Sequence, residues 1–564
     1  MEKTIRQIQE QKTLLIEVAI PIFNKLSEIK TFHYLNNLKL NIKIGTIVKV
    51  SFGTKEIWGL ALGLTYTTCV SEKKLKNILD ISDLPAININ NITFLKKVSD
   101  WTLTPLGSIV KLMLCEEKAF KYKKFKKYYF LNPKNIKFTE MRSQKQKEIY
   151  KILKKKIKLN IKQIMEEANC SKNTVLKLEK EKKLLFDFKK LEEEKIIIPD
   201  NNFLNKNKSL KLNEIQKKTY KDILLNGLKN FNVNFLDGIT GSGKTEIYFE
   251  IIFNNLIQKK QSLILLPEIS LTNDWKNRFK KSFNFEPLIW HSSVQNSNKI
   301  KIWRAALRGD PIVVAGARSS LFLPFSNLGI IVVDEEHDAG YKQEEKVIYH
   351  ARDMAIFRAQ TNNIPILLAS ATPSLDTWLN AGANPNKESI NIQNKYWHHW
   401  KLNTRFGNAN LPIIKLIDLK TSRPKKGFWL APETLANLSE NLTRKEQSLL
   451  FLNRRGYAPI TICEECGYKV KCNHCDTQLV YHKFKEEFLC HYCGKNEKKT
   501  ESCPKCNSVD SLRGIGPGVE KLKEEVKINF PNAKVEIFSS DLISSSENLE
   551  NFYITAQKRY KIST

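Results

Sequence analysis

At 564 residues the chain is too long for one hydrophobic core, and roughly three to five domains are expected. A hydrophobic content of 41% and an aromatic content of 10% are those of a globular protein, and no run approaches the roughly 18 uncharged apolar residues of a membrane helix. The 92 basic against 59 acidic side chains give a net charge of +33, which favours a polyanionic partner such as nucleic acid. The lysines come with many asparagines and isoleucines, however, a composition that an A/T-rich coding sequence also produces, so charge alone does not decide.

The start, MEKTIRQIQEQ, is polar and carries glutamates, and Glu17 interrupts the apolar run after it. Neither a secretory signal nor a transit peptide fits, and a cytoplasmic location is expected. Residues 1–115 alternate short β-type runs with turns, such as Thr46–Gly53 and Ile57–Gly63, and predict a small β domain. From 118 to 200 the pattern turns helical, with Ser171 as an N-cap and a short β pair after it, and predicts a winged-helix domain. The polar stretch 201–210 reads as a linker.

Beyond it the fold class is multidomain α/β: apolar strands alternate with helices over 211–395, as in a parallel sheet, and define a RecA-like lobe. A partial second lobe is expected over 396–462 and 507–564, interrupted by a cysteine-rich insertion at 463–506.

The first lobe carries the chemistry. Gly238, Ile239, Thr240, Gly241, Ser242, Gly243, Lys244 and Thr245 form a phosphate-loop pattern between a strand and a helix. Its glycines let backbone amides curl around ATP phosphates, Lys244 supplies a cation to the β/γ-phosphates, and the Thr245 hydroxyl ligates Mg²⁺. The apolar run 329–333 ends directly in Asp334-Glu335-Glu336-His337, where an α/β sheet places ligand chemistry. Asp334 would hold Mg²⁺ through water, Glu335 would polarise the attacking water, and His337 would relay the state of the γ-phosphate. A third strand, Ile366–Ala369, ends in Ser370-Ala371-Thr372-Pro373, and Gln216 stands where helicases place an adenine-reading glutamine.

Eight of eleven cysteines form four CxxC pairs: Cys463 and Cys466, Cys472 and Cys475, Cys490 and Cys493, Cys503 and Cys506. Eight thiolates in such pairs make two tetrahedral zinc sites, with iron–sulfur ligation as the alternative, and Gly467 and Gly494 suit tight knuckles. His474, His482 and His491 are then bystanders, and Cys69, Cys115 and Cys170 are isolated structural thiols.

In order along the chain, LPEISLT at 266–272, GARSSLF at 316–322, DEEHD at 334–338, YKQ at 341–343, YHARD at 349–353, SATPSLDTW at 370–378 and FLNRRGY at 451–457 closely resemble the family of primosomal protein N′, the superfamily-2 replication-restart helicases. The Phe52-Gly53 turn and Trp58-Gly59 resemble the N-terminal domain of that family. The resemblance implies an N-terminal domain that binds DNA 3′ ends and a motor that moves 3′ to 5′ on single-stranded DNA. It implies recognition of stalled or branched forks and recruitment of primosome proteins, the replicative helicase loader and single-stranded DNA-binding protein. It also implies that Arg318 touches the DNA backbone and that Tyr341, Tyr349, Arg352 and Asp353 lie in a loop coupling DNA contact to hydrolysis. The implied zinc pairing is nested, with Cys463, Cys466, Cys503 and Cys506 on one ion and Cys472, Cys475, Cys490 and Cys493 on the other. Ala317 and Ile348 depart from the threonine and arginine usual in the family.

The second lobe of such motors supplies an arginine finger, and no Gly-Arg-x-Gly-Arg-like segment follows the cysteine block, where only Arg513 and Arg559 remain. A C-terminally shortened motor is therefore expected, and with it an alternative to the helicase: a fork-binding platform that holds ATP without unwinding.

Overall fold

The computed structural model describes residues 14–22, 31–68, 70–121, 125–133, 141, 143–156, 158–190, 196, 204, 210–267, 273–382, 395–405, 412–425, 427–452, 460–482, 487–498, 502–515, 518–537 and 562–563. They fall into two compact units, Met1–Asn410 and Leu411–Thr564. Cys69, most of the linker, the 268–272 part of LPEISLT, the 453–457 part of FLNRRGY and Arg559 lie outside the described residues.

In the first unit, β1 (Leu15–Ala19), β2 (Phe32–Leu35), β3 (Ile47–Phe52), β4 (Lys55–Thr65) and β5 (Lys76–Ile81) close a barrel in the order β1-β2-β5-β3-β4. Alternate residues point inward, so Ile16, Val18, Val48, Val50, Ala61 and Ile78 share one core. Strands β3 and β4 pair as a hairpin whose turn needs Gly53 at φ 59°. Two helices follow, α1 (Ile89–Thr102), capped by the Asn88 side chain, and α2 (Leu106–Met113).

The 118–200 region opens on a strand rather than a helix. That strand, β6 (Phe125–Leu131), is the centre of a sheet ordered β7-β6-β8, with β7 (Leu159–Asn160) and β8 (Leu184–Lys190) beside it. Helices α3 (Gln144–Lys155), α4 (Ile161–Glu167) and α5 (Lys172–Lys180) cover it, the arrangement of a winged helix. Ile149, Leu153, Ile164, Val175 and Leu178 form its core.

The motor lobe begins with α6 (Glu214–Asn226) and β9 (Val233–Gly238). It continues through α7 (Lys244–Ile257), β10 (Gln261–Leu265), α8 (Asn273–Phe283), β11 (Leu288–Trp290), α9 (Asn296–Arg308), β12 (Val313–Gly316) and β13 (Leu328–Asp334). After a small hairpin, Lys342–Gln343 with Tyr349–His350, come α10 (Ala351–Asn362), β14 (Ile366–Ser370), α11 (Leu375–Asn380) and β15 (Trp397–Leu402). The seven sheet strands are parallel, in the order β11-β12-β10-β13-β14-β9-β15. Strands buried on both faces read as nearly unbroken apolar runs, which is why this lobe was legible.

The boundary expected at 395–396 needs correction. Strand β15 pairs with β9 from Trp397 to Leu402 and completes the first lobe, and the units divide between 410 and 411. The run WHHWKL hides a strand because its polar faces sit at the sheet edge, with His399 on Asp237 and Trp400 on Asn234.

In the second unit, α12 (Pro432–Thr443) and α13 (Val519–Asn529) pack through Leu438, Leu522 and Val526, beside three two-residue parallel strands at 448–449, 535–536 and 562–563. No helix among the described residues is long and apolar enough to cross a membrane.

Candidate nucleotide site and cysteine clusters

Strands β13, β14 and β9 are neighbours in the sheet, so three segments far apart in sequence finish side by side: the acidic box, SATP and the phosphate loop. The loop leads straight into α7, whose N-terminal amides and dipole suit an anion. Gly243 takes φ 83°, a backbone that strains any side chain, and a Cβ there would also lie 2.0 Å from Gln216 Nε2 and displace it.

Lys244 is buried and donates from Nζ to Gly238 O at 2.7 Å; burial lowers its pKa, against the pull of Glu335 and Asp334. Asp334 is desolvated enough that its carboxyl is pushed up to about 6. A lysine and a desolvated carboxylate facing one glycine loop fit a phosphate chain with its divalent cation, and Lys244, Thr245 and Asp334 would hold it. Glu335 follows at φ 47°, a strained backbone of the kind that collects at reactive sites. His337 lies between the motifs, Nδ1 2.8 Å from Ser370 Oγ and Nε2 3.3 Å from Thr372 Oγ1, so the acidic box and SATP are physically joined.

Gln216 sits at the loop but faces inward. It is fully buried, its Oε1 accepts from Asn213 N at 2.9 Å, and its Nε2 donates to Ser242 O at 3.0 Å. In this arrangement it props the phosphate loop rather than presenting an edge to a base.

The residues expected along the DNA path are together in one region, but most are not exposed. Tyr341 is 1% exposed, its hydroxyl 2.5 Å from Asp334 O and 3.0 Å from Leu265 O. Tyr349 is 6% exposed and packs edge-on against Phe322. Arg352 pairs with Glu336 and Asp353, at 2.9 Å each. Arg318 donates to Gly340 O and Lys342 O at 3.0 and 2.8 Å, tying its own turn to the loop after the acidic box. Buried Tyr341 and Tyr349 present no ring to DNA, so the expected contact needs correction for these two; their place is in the frame of the loop.

Sequence reasoning passed over Glu336. It is fully buried and accepts from Arg352 Nη1, Thr377 Oγ1 and Ser374 Oγ through Oε2, and from Ser374 N through Oε1. It fastens the acidic box to the start of α11 and to α10.

In the second unit the eight cysteines gather as two sets, Cys463, Cys466, Cys503 and Cys506, and Cys472, Cys475, Cys490 and Cys493. Within them Sγ atoms approach to 3.6 Å (Cys463–Cys506, Cys466–Cys503, Cys472–Cys493) and 3.4 Å (Cys475–Cys490). A tetrahedron with Zn–S bonds of about 2.3 Å has edges of roughly 3.8 Å, so both sets fit zinc. Four knuckles aim the sulfurs. Gly467, Asp476, Gly494 and Asn507 each take a left-handed backbone and donate N–H to the carbonyl of the first cysteine of their pair. Only the two glycines announce this in the sequence. The Ser511 hydroxyl lies 3.2 Å from Cys463 Sγ and donates its own proton to Ser508 O. His482 and His491 lie 3.0 Å apart, Nε2 to Nε2, outside both sets.

Family models match three parts of the chain: 3'DNA-binding domain (3'BD) at 17–115, DEAD/DEAH box helicase at 213–380, and PriA DNA helicase Cys-rich region (CRR) domain at 472–498. With the nucleotide loop, acidic box and cysteine sets above, they define a protein of the helicase class with a DNA-binding domain. Among curated relatives, the replication restart protein PriA of Rickettsia prowazekii is 34% identical over 540 residues, covering 95% of this chain and 68% of that one. That of Rickettsia typhi is 34% identical over 554 residues, covering 95% and 70%. That of Haemophilus influenzae is 40% identical over 354 residues, covering 63% and 46%. The chain belongs to the PriA family of replication restart proteins, and it spans about two thirds of the length of these Rickettsia relatives. Among solved structures it is similar to RecG bound to a three-way DNA junction, at 17% identity and a TM-score of 0.33, over 64% of this chain and 37% of that one.

Proposed function

We propose that the chain is an ATP-dependent DNA helicase of replication restart that engages branched DNA by a 3′ end and moves 3′ to 5′. The observation that carries this reading is the meeting of Lys244 after β9, Ser370 at the end of β14, and Asp334, Glu335 and His337 at the end of β13, three neighbouring strand ends in a lobe whose core is continuous with the 3′-DNA-binding domain. Mg·ATP would lie on the 238–245 loop, with Lys244 on the phosphates, Thr245 and Asp334 on the magnesium and Glu335 on the attacking water. Magnesium supplies charge neutralisation on the phosphates. His337, bonded to Ser370 and Thr372, would pass the state of the γ-phosphate to SATP, and Arg318 with the 341–353 loop would couple that change to DNA.

A pocket on the barrel, lined by Phe32, His33, Phe52, Gly53, Lys74 and Lys76, is a fitting place for a 3′-terminal nucleotide, since aromatic rings stack on bases and lysines pair with phosphate. Two zinc ions would hold the cysteine-rich unit, whose surface would receive primosome partners, and the location would be cytoplasmic.

The test is ATP turnover and strand separation by this chain on forks ending in a 3′ hydroxyl or a 3′ phosphate. DNA-stimulated turnover with a preference for the free 3′ hydroxyl supports the reading. Tight fork binding without turnover would replace the helicase with an ATP-holding platform.

A further inference from the structure

We infer that Tyr248 is a positioning residue for the metal ion of the nucleotide site, fixing the Asp334 carboxylate through a hydrogen-bond relay that starts at Trp275. The inference rests on the nucleotide-hydrolysing role proposed above and deepens it.

Tyr248 lies on α7 one turn beyond Thr245 and is fully buried. Trp275, on α8, places its indole Nε1 2.8 Å from the phenol oxygen, and that oxygen lies 2.9 Å from Asp334 Oδ2. An indole N–H only donates, so the phenol accepts from Trp275 and its single proton goes to Asp334. The other carboxylate oxygen accepts from Glu335 N at 3.1 Å, and the carbonyl of Asp334 meets the Tyr341 hydroxyl. Each carboxylate oxygen of Asp334 is thereby held by one donor from the protein, which leaves lone pairs on both for a further partner.

A carboxylate on the metal shell depends on such partners for orientation and for staying ionised, and their loss costs about 10- to 100-fold in metal affinity. Neither Tyr248 nor Trp275 lies on the phosphate loop, but Tyr248 also bonds the Thr245 side chain, so a metal-free ADP measurement is needed to separate an effect on the Asp334 carboxylate from one on the loop.

The experiment titrates Mn²⁺, as a stand-in for Mg²⁺ visible by electron paramagnetic resonance, into the full zinc-loaded chain with bound ADP, and separately measures ADP affinity with no divalent cation added and no chelator. Tyr248→Phe is expected to lower Mn²⁺ affinity about 10-fold or more while leaving metal-free ADP affinity within about twofold. Trp275→Phe is expected to give a smaller loss in the same sense, and it carries the test if Tyr248→Phe does not fold. Unchanged Mn²⁺ affinity in a folded Tyr248→Phe, or an equal loss of metal-free ADP affinity, would overturn the inference alone. A wild-type chain that binds no ADP under either condition would overturn the nucleotide reading itself.

Discussion

Glu336 stands in a run of five charged or titratable residues, yet it is fully buried and satisfied by one guanidinium and three Ser and Thr donor groups. Removing one partner of such a pair leaves a buried charge, at a cost of about 3–5 kcal/mol. Arg352→Met should therefore lower the midpoint of urea unfolding markedly, and a loss below about 1 kcal/mol would show that the pair is not what holds α10 to the acidic box. Asp334 makes a pH prediction. Burial raises its folded pKa from 3.8 to about 6, so the folded chain without metal binds the extra proton, and the stability this gives is present below the ordinary pKa and lost as pH rises through 6. Metal binds the ionised form, so Mn²⁺ affinity should fall up to about tenfold per pH unit below 6. A titration flat between pH 5 and 7 would contradict the shift. The chemical identity of these residues was legible in the DEEHD string, but which carboxylate turns inward was not, because that depends on Ser374 and Thr377, 38 and 41 residues downstream.

At the scale of elements, the cysteine knuckles show what spacing can and cannot reveal. Four CxxC pairs announced two metal sites, and the two Sγ sets join the outer pairs to one another and the inner pairs to one another. The left-handed turns at Asp476 and Asn507, both at φ 56°, carried no such signal, since those residues tolerate that backbone less conspicuously than glycine. Replacing either by glycine should change stability by less than about 1 kcal/mol, whereas Gly467→Val should weaken metal retention. Chelation should release two zinc ions per chain and unfold the 460–515 region, seen as loss of amide-exchange protection there; unchanged protection after complete chelation would remove zinc from its structural role. Strands β6 and β15 escaped sequence reasoning for a shared reason. Each places a polar pair, Lys126-Lys127 or His398-His399, between aromatic residues, a pattern without the apolar alternation of a half-buried strand.

At the scale of the molecule, the 3′-DNA-binding domain and the first motor lobe share one buried apolar cluster. Arg358 lies at their junction, fully buried, donating to Leu321 O, to Leu323 O at 2.6 Å and to Asn91 Oδ1 at 2.8 Å, between the rings of Phe94 and Phe325. Burial draws its guanidinium down to about 9. Trp303 and Arg304 add bonds to the carbonyls of Met113 and Ala119. Nothing in the sequence announces this junction, because its partners lie more than 180 residues apart. Asn91→Ala, which strips one acceptor from a buried charge, should cost about 1–3 kcal/mol and lower the unfolding of both domains together; separate transitions for the two would contradict a common core.

The central claim is that the 238–245 loop and the acidic box form a working nucleotide site, and DNA-stimulated ATP turnover of the chain measures it most directly. The wild type should hydrolyse ATP faster when single-stranded or forked DNA is added, and Lys244→Ala should abolish that turnover by on the order of 10²-fold or more while leaving the fold intact. Turnover that survives Lys244→Ala would contradict the account.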